Sequence, residues 1–176
     1  EFSDNYTQQL YEFAMHDMLA SGGHSKSTRD LFALYAVGGH AREQGFDDDY
    51  DMIAILDSPD RGVQELCNRV IARMNLHIIK RGIFPHNRMA DHFGSYVVSL
   101  DQLGHFLGNT MEDVYVDLSQ LLGARMLVGT KRLDNKLTER IIEPLIFERD
   151  REYIEHLSAE IKEGIFYKNF EKLLNN

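Results

Sequence analysis

Apolar and polar positions follow two periods along this chain, and each period predicts a different kind of element. Tyr6, Leu10, Phe13, Ala14 and Met18 recur at three- and four-residue spacing, which predicts a helix over about 5–19, ended by Ser21-Gly22-Gly23. Leu31-Phe32-Ala33-Leu34-Tyr35-Ala36-Val37 is a short, partly aromatic apolar run, which predicts a buried strand stopping at Gly38-Gly39. Met52–Leu56 predicts the next strand. Asp57-Ser58-Pro59-Asp60 reads as a helix start, with Ser58 as N-cap, Pro59 at the first helical position and Asp60 in the first turn. In the following helix Val63, Leu66, Cys67, Val70, Ile71, Met74 and Ile78 form one apolar stripe for packing on the sheet, and Gly82 suits its end.

The second half is less periodic. Residues 83–96 look irregular around Pro85 and Gly94. Tyr96-Val97-Val98-Ser99-Leu100 fits either a short strand or the lead into a helix at about 101–107, and 114–128 fits helix or strand. Beyond Lys131 the pattern is mainly helical, over roughly 133–149, 151–163 and 166–174. The expected class is α+β: a small mixed β-sheet flanked by helices over residues 1–130, with a helical extension at 131–176 packed on the same domain.

Composition narrows the functional classes. The chain has 176 residues, 43% of them apolar, enough for one globular domain with its own core. No apolar run approaches the length of a membrane span, so no membrane partner is expected. The net charge of −9 and the lack of a basic run argue against nucleic acid as a partner, because such binding rests on cations that neutralise phosphates. A triphosphate held through a metal ion stays compatible, since the ion supplies positive charge. The single cysteine, Cys67, allows no intrachain disulfide and fits a reducing, cytoplasmic setting. It sits on the apolar stripe and reads as a core residue. The start at Glu1 without Met fits a piece of a longer protein. No His/Cys cluster has zinc-ligand spacing, His86 and His92 read as loop histidines, and no Ser sits in a Gly-x-Ser-x-Gly elbow.

The segment with the most chemistry runs from Gly38-Gly39 through Arg42 to Asp49-Tyr50-Asp51 and into the apolar run Met52–Leu56. In an extended strand Asp49 and Asp51 share a face. Two carboxylates about 4 Å apart repel by about 1 kcal/mol in water and about 4 at an effective dielectric near 20, so the pair needs solvent, cations or a metal. Mg²⁺ (or Mn²⁺) is commonly held by one or two carboxylates plus substrate phosphates. Gly38 and Gly39 leave backbone N–H groups open to phosphate oxygens, because no Cβ intervenes. Asp47-Asp48-Asp49 alone would be an ordinary solvated acidic turn. A calcium loop is excluded, because Met52 stands at its sixth position and Ser58 at its twelfth. Asp47 and Asp49 form a second Asp-x-Asp pair, but Asp49 and Asp51 directly precede the strand and are preferred.

These residues resemble the signature of the nucleotidyltransferase (polymerase-β-like) superfamily: an apolar residue, Gly, Gly or Ser, a spacer, then Asp-apolar-Asp-apolar. Arg42-Glu43, Phe46 and Asp49-Tyr50-Asp51 are similar to a block of the glutamine synthetase adenylyltransferases. Val97-Val98-Ser99-Leu100 and Ala124-Arg125-Met126-Leu127-Val128-Gly129 resemble later blocks, 85–90 looks like part of the related uridylyltransferase-like domains that accompany CBS modules, and the chain as a whole resembles the adenylyltransferase and nitrogen-regulatory uridylyltransferase-like domains. The resemblance covers about 31–147. It implies a nucleotidyltransferase fold, with Gly38 and Gly39 at the triphosphate and Asp49 and Asp51 as catalytic residues binding the metal. Arg42 would contact phosphate or pair with a nearby acid, and Arg125 could simply pair with an acid. In the adenylyltransferases a third carboxylate lies a dozen or so residues before the Val-Val-Ser-Leu segment. Here 79–86 contains no acid, and Asp91, Asp117 or, more weakly, Glu112 and Asp113 are the substitutes.

Two functions follow from the resemblance. One is transfer of a nucleoside monophosphate from ATP or UTP to a hydroxyl acceptor, with a protein as the acceptor that the family suggests. The alternative is a catalytically inactive, nucleotide-binding regulatory domain working with neighbouring domains of a longer chain. An antibiotic-modifying type of small-molecule nucleotidyltransferase is a third option. The C-terminal aromatics Tyr153, Phe166, Tyr167 and Phe170 read as helix-packing residues, or as a contact with such a neighbour.

Overall fold

The two central strands are buried along their whole length, so the sheet they form needs helical cover on both faces. The computed structural model describes residues 2–22, 26–41, 51–81, 97–108, 121–148, 151–159 and 162. Within them β1 (Phe32–Ala36), β2 (Met52–Leu56), β3 (Val97–Ser99) and β4 (Arg125–Val128) form one four-stranded sheet in the order β3-β2-β1-β4. β1 runs antiparallel to both β2 and β4, while β2 and β3 are parallel. The sheet is therefore small and mixed, and the class is α+β, as the apolar pattern predicts.

Strand periodicity separates two cores. Phe32, Leu34, Ala36, Met52, Ala54, Leu56 and Val97 face α1 (Phe2–Gly22) and α3 (Arg61–Arg81). Tyr11 of α1 stacks on Phe32 with ring centroids 5.5 Å apart. The α3 stripe buries Leu66, Cys67, Val70, Ile71 and Met74, and Cys67 is a core residue whose thiol is pushed up to about 12 by burial. Ala33, Tyr35, Val37, Ile53, Ile55 and Val98 face the other way. They pack on α4 (Leu100–Leu107) and on the helical run of α5 (Lys131–Leu137), a π turn at Thr138–Ile142 and α6 (Glu143–Phe147). Pro144 gives that π turn a physical reason. An α-helical proline clashes with the carbonyl four residues back, and here the ladder has already slipped, with Glu143 N–H donating to the Thr138 carbonyl.

The edges are short, which limits strand-to-strand association. On β4, Leu34 pairs with Val128 and Tyr35 with Met126, so Leu127 forms a bulge. Gln8 of α1 donates from Nε2 to the Leu127 carbonyl at 2.9 Å, which ties the first helix to that edge. Gly129 then leaves β4 at φ +141°, where a Cβ would lie 2.6 Å from that of Ala33.

Several elements differ from the sequence expectation. Leu31 closes a 3-10 turn (Lys26–Leu31) rather than opening the strand. Gly38-Gly39 do more than stop β1: they begin a helical turn, α2 (Gly38–Ala41). The α3 cap is Asp60, not Ser58. Asp60 Oδ1 accepts from Gly62 and Val63 N–H at 2.7 and 3.3 Å, while Ser58 Oγ accepts only from Asp60 N–H at 3.2 Å. Asp is as good an N-cap as Ser, and Pro59 extends the lead-in instead of occupying the first turn. Ser99 makes a full capping box with Gln102, which resolves 97–107 as a short strand running straight into a helix. Of the ambiguous stretch, Arg125–Val128 is strand. Gly82, 83–96 and 163–176 lie outside the described residues.

Asp60→Ala should lower stability by about 1 kcal/mol, and Ser58→Ala by less, as read from urea denaturation midpoints. Gly129→Ala should cost roughly 2–4 kcal/mol in the same measurement, because it combines an unfavourable φ with a clash against β1.

Candidate functional site

Where β1 ends, Val37 N–H donates to the Asp51 carbonyl at 3.0 Å, which extends the Ala36–Met52 pairing by one residue. The next residue, Gly38, turns the chain at φ +55°, and Ala41 N–H closes α2 on the Val37 carbonyl at 3.1 Å. A Cβ on Gly38 would lie 3.0 Å from Asp51 Oδ2. Glycine is thus needed here twice, for the left-handed turn and for the closeness of the carboxylate. Asp51 is only 8% exposed, although it carries an ionisable group. Strand alternation puts it on the face of Ile53 and Ile55.

A second group of polar residues braces this corner. His40 donates from Nδ1 to the same Asp51 carbonyl at 3.2 Å. Its Nε2 lies 3.7 Å from Oδ1 of Asp4, in the first turn of α1. Asp4 in turn receives both terminal nitrogens of Arg125, the second at 3.2 Å, in a bidentate pair. Arg125 opens β4 and pairs with Ala36. The N-terminal turns of α1 and α2 therefore meet the start of β2 and the start of β4. The Arg125 hydrogen bond holds the Asp4 carboxyl below its usual range, against the opposing effect of burial. Burial holds the His40 imidazole below its usual range, and this outweighs the hydrogen bond to the Asp51 carbonyl and the nearby Asp4.

The structure brings Gly38, Gly39 and Asp51 to one corner. Arg42 and Asp49 lie outside the described residues, as do Asp47, Asp48, Asp91, Glu112, Asp113 and Asp117. Arg125 takes the plainer of its two readings and pairs with an acid. Asp4 and His40 were not singled out from sequence. Asp4 lies 121 residues from Arg125, so nothing local signals the contact. His40 stands inside the Gly-Gly to Asp segment, and that position was the available clue.

A carboxylate oxygen suits a hard cation such as Mg²⁺, and a Cβ at position 38 would crowd Oδ2 of Asp51. Asp51 is one carboxylate that such an ion could use; Asp49, the other carboxylate of the sequence pair, lies outside the described residues. Among the described residues, no group of three or more His, Cys, Asp or Glu side chains could hold a metal. A separate groove of about 370 Å³ is lined by Gly104, Gly108, Arg140, Ile141, Pro144, Leu145 and Glu148, and none of the sequence-predicted site residues borders it. No helix among the described residues is long and apolar enough to cross a membrane. Comparison with family models, curated proteins and solved structures found no match for this chain.

Gly38→Ala should destabilise by about 1–3 kcal/mol and displace the Asp51 carboxylate, seen as lower urea midpoints and a shifted Asp51 ¹³Cγ resonance. Acid should destabilise the fold in two stages. His40 is held below its ordinary value of 6.5, so the unfolded chain takes up a proton first and stability falls as pH drops below about 6.5. Asp4 is also held below its ordinary 3.8, so its contribution is present above that value and lost as pH falls through its lower folded pKa. Urea midpoints from pH 8 to pH 3 should show both stages, and His40→Asn should flatten the first.

Proposed function

We propose that this chain is a Mg²⁺-dependent nucleotidyltransferase that moves a nucleoside monophosphate from ATP or UTP to a hydroxyl acceptor, and that the acceptor is a protein. The observation that carries the reading is the closeness of Gly38 to Asp51, a left-handed glycine against a buried carboxylate at the joined ends of β1 and β2. The reading also rests on the resemblance of the Gly38-Gly39 to Asp49-Tyr50-Asp51 spacing to the nucleotidyltransferase superfamily. The small mixed sheet between helices is compatible with that superfamily's fold.

The roles follow from the chemistry of each group. Gly38 and Gly39 carry no Cβ, so phosphate oxygens could come close to their backbone N–H groups. Asp51, with Asp49, would hold the metal. The ion, when bound, neutralises phosphate charge and favours loss of the proton from the attacking hydroxyl. Burial of Asp51 strengthens its electrostatic effect, since solvent screens it less. Arg42 would reach a phosphate. The single buried cysteine fits a cytoplasmic protein.

A second reading is a nucleotide-binding regulatory domain without catalysis, working beside other domains. The acid-free stretch at 79–86 favours it, because the superfamily's third carboxylate is expected there.

Mg²⁺ with ATP or UTP should raise the melting temperature, by the equivalent of about 2.7 kcal/mol at one hundred times Kd. Asp49→Asn combined with Asp51→Asn should abolish that shift, and an unchanged shift would exclude the site. Label transfer from [α-³²P]ATP or UTP to protein separates the enzyme from the regulatory domain: binding without transfer is the outcome expected of the latter.

A further inference from the structure

We infer that His40, backed by Asp4 and Arg125, is a positioning residue that sets the backbone of Asp51 and so aims its carboxylate at the metal. This rests on the metal-binding reading of Asp51 above. The Asp51 carbonyl accepts two hydrogen bonds, from Val37 N–H at 3.0 Å and from His40 Nδ1 at 3.2 Å. The first belongs to the sheet and fixes where β2 starts. The second comes from α2, the same turn that contains Gly38. One peptide unit is thereby held from both sides of the glycine whose missing Cβ makes room for Oδ2. A single hydrogen bond to a carbonyl still allows the peptide plane to rock, and a second donor from another direction limits that motion.

The imidazole is itself held. Its Nε2 faces Asp4 Oδ1 at 3.7 Å, and Asp4 is locked by the two-pronged Arg125 pair. The line Arg125–Asp4–His40–Asp51 thus runs from β4 through α1 and α2 to the start of β2. Outer partners that hydrogen-bond a metal ligand's own side chain cost about 10–100-fold in metal affinity or activity when lost, and His40 would act on the ligand one step back, through its backbone.

Mn²⁺ titration followed by electron paramagnetic resonance, with melting temperature measured on every variant, tests this. His40→Ala removes the donor. His40→Asn places an amide N–H near the position of Nδ1, and His40→Gln places one near Nε2 instead. Wild type should bind, Ala and Gln should bind at least ten-fold more weakly, and Asn should restore affinity to within about three-fold. If His40→Ala fails to fold, the Gln and Asn pair makes the same comparison. Equal affinity in wild type, Ala and Gln, with Asp51→Asn abolishing binding, would overturn the positioning role alone and leave the metal site standing. Equal loss in Ala, Gln and Asn would also overturn it, because the bond to the Asp51 carbonyl would not be the cause. Absence of Mn²⁺ binding by folded wild type would overturn both the site and this role.

Discussion

The antiparallel register of β1 against β2 is the constraint on which the rest of the molecule depends. Five residues of each strand are buried on both faces, and alternation assigns each to one of two cores. A slip of one residue would exchange the two sets, placing Phe32 and Leu34 where Ala33 and Tyr35 belong. The same register brings Val37 opposite Asp51. It therefore decides where the glycine turn begins relative to the carboxylate. Fold and candidate site share one specification: the pairing that fills the core also closes the distance between Gly38 and Asp51.

The polar residues at this corner answer a second problem. A buried carboxylate and a buried imidazole are costly unless their surroundings compensate. Around Asp51 the supporting contacts come from parts of the chain that are far apart in sequence. Arg125 holds Asp4, Asp4 faces His40, and His40 holds the Asp51 backbone. At the opposite end of β2, Asp57 is gripped by Arg132 and Lys136 of α5, at 3.1 and 2.6 Å. Each end of the central hairpin is thus pinned to a different helical layer, α1 at one end and α5 at the other.

The strands, the helix at α3 and its buried face were legible because period-two and period-3.6 patterns are local properties. Met52–Leu56 ran as one apolar block, and the stripe from Leu66 to Met74 kept its spacing. The α3 cap was misplaced because Asp57-Ser58-Pro59-Asp60 contains more than one good capping residue, and only the hydrogen bonds of Asp60 distinguish them. Val97–Ser99 and Arg125–Val128 were ambiguous because edge strands of three or four residues are too short to display a period. Of the site, Gly38 and Asp51 could be read from their spacing, though not their contact. Asp4 could not be read at all, because its role depends on Arg125 and on the path of β4 beside β1. That path is a tertiary property with no local pattern.

The docking of α1 has a consequence for the order in which the molecule comes together. Its two ties to β4, Gln8 to Leu127 and Asp4 to Arg125, span 119 and 121 residues of chain. Contacts of such separation carry a large loop-closure entropy and form only after nearer pairings have shortened the route between their ends. The β1–β2 hairpin and the Lys131–Phe147 helical run are local and can form early. The brace around Asp51 cannot, because its acid is made near the start of the chain and its base more than a hundred residues later. During synthesis Asp4 cannot pair with Arg125 until Arg125 has left the ribosome. The Gly38–Asp51 contact can therefore form with the hairpin, while the brace behind it forms only once β4 is in place, and a nascent chain stalled before β4 would lack that brace.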